Sequence, residues 1–158
     1  MNRTSVITPL GPLNIESGDW SVMSAYFTTQ PYDEKHDHPL LIETVRQIAA
    51  YFSGDLRRFD VPIEPAGTVF QRHVWECLSE IPFGETLSYS ALQRKWSSEP
   101  LRALVAAVSS NPMALIIPCH RVVGSQGQKT GYAWGAERKS RLLIHEQQMV
   151  HPDLFTGL

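Results

Sequence analysis

The hydrophobic pattern of the chain changes near residue 40, from short extended runs to helical spacing. Ser5–Thr8, Leu13–Ile15 and Val22–Phe27 are short runs that contain β-branched or aromatic residues, with turn residues between them. This arrangement predicts three strands. From Leu40 to Phe52 apolar side chains recur every three or four residues, which predicts an amphipathic helix that ends at Gly54.

An extended run and a linker follow this helix. Phe59–Ile63 predicts an edge strand, because Pro62 has no N–H to donate to a central ladder. The Pro- and Gly-containing stretch 64–67 predicts a linker. We therefore expect two domains, 1–66 and 67–158, of which the first is a small sheet with one helix.

The second half of the chain predicts four helices. Val69–Ile81 carries an apolar stripe, and Ser88 is placed to cap a helix over Tyr89–Trp96. After a short break, a third helix runs from Pro100 to Ser110, and the last begins at 136 and ends near 148. The middle two helices have the outline of a helix-turn-helix, although two packed core helices would explain the pattern equally well.

A thiol stands at the end of an apolar run in this second half. Leu115–Ile117 predicts a short buried strand, and Pro118 ends it because proline has no N–H for a ladder. Cys119, His120 and Arg121 follow directly, an arrangement suited to nucleophilic chemistry because cations and hydrogen bonds favour the thiolate. A single Cys in an apolar segment is also a common core residue, so the residues alone leave both readings open.

Turn-forming residues surround the segment that follows the cysteine. Val122-Val123 predicts a return to extended structure, and Gly124–Gly127 predicts a turn. Gly131–Gly135 is a loop bracketed by glycines, whose backbone freedom would let it bend around a ligand. The sequence therefore predicts an irregular segment between the cysteine and the last helix.

The last helix places an acid on its apolar face. Glu146 shares that face with leucines, and a carboxylate in apolar surroundings requires a partner. One interpretation is a set in which Cys119 is the nucleophile, His120 the base and Glu146 the group that orients the imidazole. The alternative is a capping histidine and a salt bridge from Glu146 to Arg138 or Arg141.

Composition places the chain among globular proteins. It has 158 residues, 42% of them hydrophobic and 19% charged, and no apolar run approaches the roughly 18 residues of a membrane helix. The N-terminus lacks the apolar segment of a secretory signal. The two cysteines, Cys77 on the stripe of the 69–81 helix and Cys119, are too few for a disulfide scaffold. We expect a cytoplasmic protein with reduced thiols.

Charge is distributed unevenly between the two halves. The net charge of −2 alone argues against a nucleic-acid partner. Residues 1–69 carry five basic and nine acidic groups, however, whereas residues 70–158 carry nine basic and seven acidic groups. A polyanion would therefore bind the second half, with strong salt dependence.

Two histidines, His36 and His38, flank Asp37 in a polar stretch. This spacing invites interpretation as a metal site. No cysteine or further histidine lies nearby to complete such a site, so we expect a solvated loop.

The string Pro118-Cys119-His120-Arg121-Val122 resembles the active-site signature of the O6-alkylguanine-DNA alkyltransferases. The resemblance extends upstream to Phe70-Gln71-Arg72 and downstream to Leu142-Leu143-Ile144-His145-Glu146. An Asn-Pro pair and a Gly-Tyr pair stand between these segments in the same order. The resemblance implies a ribonuclease-H-like α/β N-terminal domain and a mostly helical C-terminal domain with a helix-turn-helix and a short active-site strand, an α+β fold of two domains.

The resemblance also implies a reaction. It is the direct repair of O6-alkylguanine, and of O4-alkylthymine, in double-stranded DNA by irreversible transfer of the alkyl group to Cys119 after nucleotide flipping. The protein would act once, as a monomer and without a cofactor. Two alternatives remain open: a sensor that holds the flipped base and recruits other repair proteins, and a Cys-His hydrolase.

Roles at individual positions follow from the same resemblance. Tyr89 looks like the phenol that protonates N3 of the leaving guanine, and Arg102 like the side chain that fills the vacated stack. Asn111 looks like the residue that ties the recognition helix to the active-site strand, and Ala103 and Ser110 would belong to the DNA-binding helix.

The predicted substrate pocket lies after the cysteine. The carbonyl groups of Cys119 and Val122 would read the exocyclic amine of guanine. Tyr132, Ala133 and Trp134 would wall the pocket, with Trp134 restricting bulky alkyl groups. No set of Cys and His matches the structural zinc site of some animal members, so we expect no metal.

Overall fold

Residues 1–33, 37–129 and 131–155 are described by a computed structural model, in which the chain forms two units of an α+β fold. The first unit consists of Met1–Ala66 together with Pro112–Ile116, and the second of Gly67–Asn111 and Ile117–Leu158. The predicted His36-x-His38 loop lies partly outside the described residues, since His36 is not among them. Within the described ranges, every helix is too short or too polar to cross a membrane.

The three predicted N-terminal strands form one antiparallel sheet. They are β1 (Asn2–Thr8), β2 (Gly11–Ser17) and β3 (Val22–Phe27), paired in the order β1-β2-β3. Gly11 has φ +108° at the tight connection from β1 to β2, a conformation that favours glycine. The central strand, β2, therefore has a partner on each side.

The predicted helix of the first unit is also confirmed. α1 (Pro39–Ser53) begins after His38, whose Nδ1 accepts a hydrogen bond from the Leu40 N–H at 3.3 Å. It ends at Gly54, which has φ +87° and caps the helix. Burial of each large apolar side chain of this helix contributes about 2 kcal/mol. The fully buried apolar side chains are Leu41, Ile48 and Tyr51.

Two predicted strands are wrong. In the segment 59–63 only Ile63 forms a bridge, parallel to Val22. The run Leu115–Ile117 is buried but turns, with φ +71° at Leu115, and the bridge to Ala25 is made earlier in the chain by Met113. The error at Leu115–Ile117 has a physical reason: a short apolar run reports burial, and burial does not require extended backbone. The bridge places 112–116 with the first unit.

Helices dominate the second unit, as predicted. α2 (Val69–Leu78) begins with a capping box, in which the Thr68 side chain and the Gln71 side chain each bond the other's backbone N–H. The remaining helices are α3 (Tyr89–Trp96), α4 (Leu101–Ser109) and α5 (Ala136–Val150).

A buried hydrogen bond joins α2 and α4. The indole Nε1–H of Trp75 on α2 donates to the Ala107 carbonyl of α4 at 2.9 Å.

The Ser88 side chain caps α3 by accepting from the Ala91 N–H at 3.0 Å, as its position predicted. Residues 97–100 connect α3 to α4, and Pro100 is the N-cap of α4.

The predicted nucleophile lies in a short 3₁₀ helix, Cys119–Arg121, rather than at the end of a strand. The chain then becomes extended, as predicted, in β5 (Val122–Val123), which pairs in parallel with β4 (Leu87–Ser88). The predicted turn follows, closed by a hydrogen bond from the Gly127 N–H to the Gly124 carbonyl. A second 3₁₀ helix, Pro152–Phe155, follows α5.

Candidate active site

Glu146 of α5 is the centre of a buried hydrogen-bond cluster. Its Oε2 lies 2.7 Å from His120 Nε2 and 3.1 Å from Arg121 Nη2, and its Oε1 lies 2.9 Å from Arg121 Nε. The Gly84 N–H donates to Oε1 at 3.1 Å. Arg121 Nη1 also donates to the Ile81 carbonyl at 2.7 Å, so its fork is engaged on two sides.

The turn before β4 is shaped to hold this carboxylate. Gly84 has φ +82°, and a Cβ at that position would lie 2.5 Å from Val150 Cγ2. The Gly84 carbonyl accepts from Gln147 Nε2 at 2.6 Å, while its N–H points to Glu146. Only glycine meets both requirements, the positive φ and the close approach to α5.

The electrostatics of the cluster favour a neutral imidazole beside an ionised carboxylate. Burial opposes the ionisation of Glu146, but His120 and Arg121 outweigh it and hold the pKa of Glu146 well below its ordinary value. Burial lowers the pKa of His120, so the imidazole is neutral near pH 7. With Nε2–H donated to Glu146, the other nitrogen of His120, Nδ1, is an acceptor. It is buried and has no hydrogen-bond partner in the described part of the chain.

The Cys119 sulfur is buried and hydrogen-bonded. Asn111 Nδ2 donates to Cys119 Sγ at 3.0 Å and to the Ile117 carbonyl at 3.0 Å, which ties the end of α4 to the cysteine segment. Burial raises the pKa of Cys119 to about 11, although the hydrogen bond from Asn111 and the charge of Lys139 act in the opposite direction. The resting group is therefore a thiol, and it requires a base before it can attack.

Two aromatic hydroxyl groups are buried in the same unit. The Oη atoms of Tyr89 and Tyr132 have no hydrogen-bond partner among the described residues. A Cβ on Gly131 would lie 2.8 Å from Tyr89 Oη, and Ser109 Oγ donates to the Gly131 carbonyl at 3.2 Å. Burial raises the pKa of both phenols, so both remain protonated near pH 7.

The other predicted pocket residues lie in β5 and in the loop before α5. Val122 is fully buried and pairs with Leu87. Trp134 is half-buried and packs edge-on against Tyr132, with ring centroids 5.3 Å apart. Arg138 Nη1 donates to the Trp134 carbonyl at 3.1 Å, which holds the loop to α5, and Ala133 is exposed.

Three of the four predicted DNA-binding residues lie on the outer face of α4 or at its C-cap, Ser110, whereas the fourth, Asn111, is buried beside Cys119. Arg102 and Ser110 are exposed and Ala103 is half-buried. Their spacing places them on one side of the helix. The opposite side is buried in the second unit and consists of Leu104, Ala107 and Val108.

The structure thus brings some predicted residues into direct contact and leaves others apart. His120 meets Glu146, and Asn111 meets Cys119. Arg102 lies on the exposed surface of α4 and is not part of the buried cluster. Glu146 forms a buried ion pair with Arg121, a residue of the 3₁₀ helix that neither interpretation of the sequence paired with it.

Sequence reasoning missed two members of the site. Gly84 was assigned only to a turn, and a lone glycine carries no signal that it approaches a carboxylate 62 positions away. Lys139 is fully buried and was not singled out. The one available signal was its spacing from Glu146, seven residues or about two helical turns, which places both side chains on the same face of α5.

Comparison with known proteins identifies the family. The sequence profile described as 6-O-methylguanine DNA methyltransferase, DNA binding domain, matches residues 69–148. The methylated-DNA–protein-cysteine methyltransferase of Methanosarcina acetivorans is 47% identical over 102 residues, which cover 64% of this chain and 65% of that protein. That of Mycobacterium leprae is 39% identical over 153 residues, 92% of each chain.

A solved structure extends the likeness to the fold. The Mycobacterium tuberculosis OGT in complex with DNA superposes with a TM-score of 0.83 at 35% identity and covers 94% of each chain. Its coverage includes both units, so the likeness is not confined to the residues matched by the profile. The chain belongs to the methylated-DNA–protein-cysteine methyltransferase family.

Proposed function

We propose that this protein repairs O6-alkylguanine, and O4-alkylthymine, in double-stranded DNA by moving the alkyl group irreversibly onto Cys119. The observation that carries the proposal is the buried arrangement in which Asn111 holds the Cys119 sulfur and Glu146 orients a neutral His120. The family and the DNA bound by the M. tuberculosis relative support the same reaction and the same partner.

The transfer is a displacement at carbon. The Cys119 proton passes to His120, directly or through a water, and Glu146 stabilises the resulting imidazolium. A sulfur lone pair forms the new S–C bond as the bond from carbon to O6 breaks, and its electron pair goes to the guanine. Tyr89 protonates the guanine at N3. The imidazolium and phenolate left behind exchange a proton through solvent, so the products are S-alkylcysteine and guanine.

This chemistry explains why the protein acts once. A thioether is not hydrolysed under physiological conditions, so the sulfur is not regenerated. The alkyl group is the only group transferred, and no cofactor enters the balance.

The alkylated base must leave the duplex to reach a buried sulfur. Rotating it out costs a few kcal/mol. Arg102, exposed at the start of α4, would offset this cost by filling the vacated stack. Ala103 and Ser110 on the same face would let α4 approach the DNA closely, and Asn111 would link that helix to the cysteine.

The pocket residues would set which base and which alkyl group are accepted. Carbonyl groups of Cys119 and Val122 would accept hydrogen bonds from the exocyclic amine of guanine. Tyr132 and Ala133 would line the wall. Trp134, packed on Tyr132, would narrow the space for the alkyl group and disfavour bulky ones.

The test is to mix the protein with a duplex that contains one O6-methylguanine and to measure its intact mass. We expect each molecule to gain one methyl group in place of a hydrogen, and peptide mapping to find that methyl on Cys119. Folded protein that binds the damaged duplex without gaining mass would reject transfer and favour the sensor alternative.

Replacing Tyr89 by phenylalanine should slow transfer about 100-fold, the lower range for loss of a general acid. The buried hydroxyl without a partner is the group removed, and the ring that packs in the unit is kept. Single-turnover rates on the methylated duplex measure the effect. The control is Tyr26→Phe, which removes a hydroxyl from the first unit. Equal rates for Tyr89→Phe and the wild type would exclude the role.

Three finer features belong to the same proposal. The first unit is ribonuclease-H-like, supported by the β1-β2-β3 meander followed by α1. The protein works as a monomer, since the residues of the site come from one chain. It works in the cytoplasm, since both cysteines are free thiols and the chemistry requires one of them reduced.

A further inference from the structure

The serine at the last position of α4 bonds to the loop that precedes α5. Ser109 Oγ donates to the Gly131 carbonyl at 3.2 Å, across 22 positions of sequence. The neighbouring hydroxyl, Ser110 Oγ, donates instead to the Ala107 carbonyl of its own helix at 2.9 Å and accepts from Gln71 Nε2 at 3.2 Å. Of these two adjacent hydroxyl groups it is therefore Ser109 that reaches the loop, and the mechanism above gives this contact no role.

The backbone that Ser109 holds is packed against the Tyr89 hydroxyl. Gly131 has φ +76°, and a Cβ at that position would lie 2.8 Å from Tyr89 Oη and 3.9 Å from Ser109 Oγ. The Tyr89 hydroxyl is buried and has no hydrogen-bond partner within the described ranges. Packing, and not a hydrogen bond, therefore places this hydroxyl, so the position of the Gly131 backbone limits where it can lie.

Ser109 also lies on the side of α4 that carries Arg102. The two residues are seven positions apart, about two helical turns, which places them on one face of the helix. Arg102 is exposed, whereas Ser109 is half-buried and its hydroxyl is directed to the loop. One helix face thus carries both the residue proposed to fill the vacated stack and the hydroxyl that holds Gly131.

We propose that Ser109 is a positioning residue that acts through Gly131 to fix the Tyr89 hydroxyl in the substrate pocket. This inference rests on the proposed function, because it assumes that Tyr89 protonates the leaving guanine. A general acid contributes only when its proton lies within hydrogen-bond reach of the atom that receives it. Ser109 keeps its own proton throughout, so its effect on the transfer rate passes through the Tyr89 hydroxyl.

Hydrogen exchange of the free protein, followed by mass spectrometry, tests the contact between Ser109 and the loop. The control is Ser79→Ala, because Ser79 Oγ also donates to a carbonyl at the end of a helix, that of Trp75 at 3.2 Å. We expect amides within residues 131–135 to exchange about fivefold faster in Ser109→Ala, the factor that one ordinary hydrogen bond supplies. Ser109→Thr, which keeps the hydroxyl, and Ser79→Ala should match the wild type. Unchanged exchange in Ser109→Ala would overturn the inference.

Single-turnover kinetics on a duplex with one O6-methylguanine test the effect on Tyr89. Ser109→Ala should lower the rate constant at saturating duplex about tenfold and leave the dissociation constant for the duplex unchanged, because a misplaced acid slows the chemical step and not binding. The loss is smaller than for Tyr89→Phe because the phenol is still present, and Ser109→Thr should restore most of the rate. Weaker binding with an unchanged saturating rate would make Ser109 a DNA contact and would contradict the positioning role.

A double-mutant cycle shows whether Ser109 acts through Tyr89. In a Tyr89→Phe background, Ser109→Ala should cause no further slowing, because the hydroxyl that it positions is already absent. Losses that multiply would mean that the two residues act independently, and the inference would then be wrong. Exchange is measured without DNA, so the two proposals fail separately. A wild type that gains no methyl group would reject the proposed function, whereas methyl uptake with unchanged exchange in Ser109→Ala would reject only the role of Ser109.

Discussion

Replacing Cys119 by alanine will abolish methyl uptake from O6-methylguanine DNA, whereas replacing Cys77 by alanine will leave it intact. The two cysteines are matched in burial and both are free thiols, but their surroundings differ. Asn111 donates to the Cys119 sulfur. The Cys77 sulfur lies on the core side of α2, 3.8 Å from His73 Nε2, with its pKa raised by burial and by neighbouring acids.

Intact-mass spectrometry after incubation with excess duplex measures this contrast. The wild type and Cys77→Ala should each gain one methyl group, and Cys119→Ala should gain none. The Cys119→Ala protein should still bind DNA, with an affinity that falls steeply as salt rises, because α4 and the basic groups of the second half are unchanged. Methylation of Cys119→Ala at any residue would remove the basis of the proposed mechanism.

Replacing Glu146 by glutamine will destabilise the protein by about 3–5 kcal/mol, the cost of removing one partner from a buried ion pair. The change leaves the Arg121 guanidinium buried without a carboxylate partner. It also places the N–H₂ group of the glutamine amide among hydrogen-bond donors, with which it cannot pair. Urea unfolding at pH 7 measures the loss. The double variant Glu146→Gln with Arg121→Met should recover part of it, because no uncompensated charge is then buried.

An exposed ion pair on α1 provides a control for the buried pair of Glu146 and Arg121. Glu43 lies 2.6 Å from Arg46 on the exposed surface of α1, so Glu43→Gln should have a far smaller effect than Glu146→Gln. A loss for Glu146→Gln no greater than that for Glu43→Gln would show that the buried cluster does not contribute as its geometry indicates.

The contribution of the Glu146 carboxylate to stability should also appear in the pH dependence of unfolding. The folded-state pKa of Glu146 is lowered, so its contribution is fully present above the ordinary value for glutamate, about 4.3, and is lost as pH falls towards the folded-state value. The free energy of unfolding of the wild type should therefore decrease below about pH 4.3. Glu146→Gln should lack this part of the decrease.

The elements that the sequence predicted correctly are those with a local cause. Ser88 caps α3 and Gly54 ends α1 because capping depends on residues within one turn. The amphipathic helices followed from spacing alone. The strand predicted at Leu115–Ile117 was wrong because its burial comes from a tertiary position, which a short apolar run cannot distinguish from pairing.

The site divides in the same way. Cys119, His120 and Arg121 are adjacent in sequence, the apolar face of the last helix singled out Glu146, and the resemblance added Asn111. The structure places Glu146 in contact with His120, and Asn111 in contact with Cys119. The hydrogen bond from the Gly84 N–H to Glu146 could not be predicted, since every residue except proline carries the same backbone donor. Arg121 was visible as a cation, but the fold decides that Glu146 pairs with Arg121, which lies 25 positions earlier in the sequence.

The path of the chain limits how the molecule can be divided. Pro112–Ile116 belongs to the first unit through the bridge between Met113 and Ala25, and residues on both sides of it belong to the second. A fragment that begins at Gly67 would contain every residue of the active site. It would lack β3, with which Met113 forms its bridge. Proteolysis at the 64–67 linker would therefore divide the first unit between the two fragments. The fragment that contains the active site is not expected to fold independently.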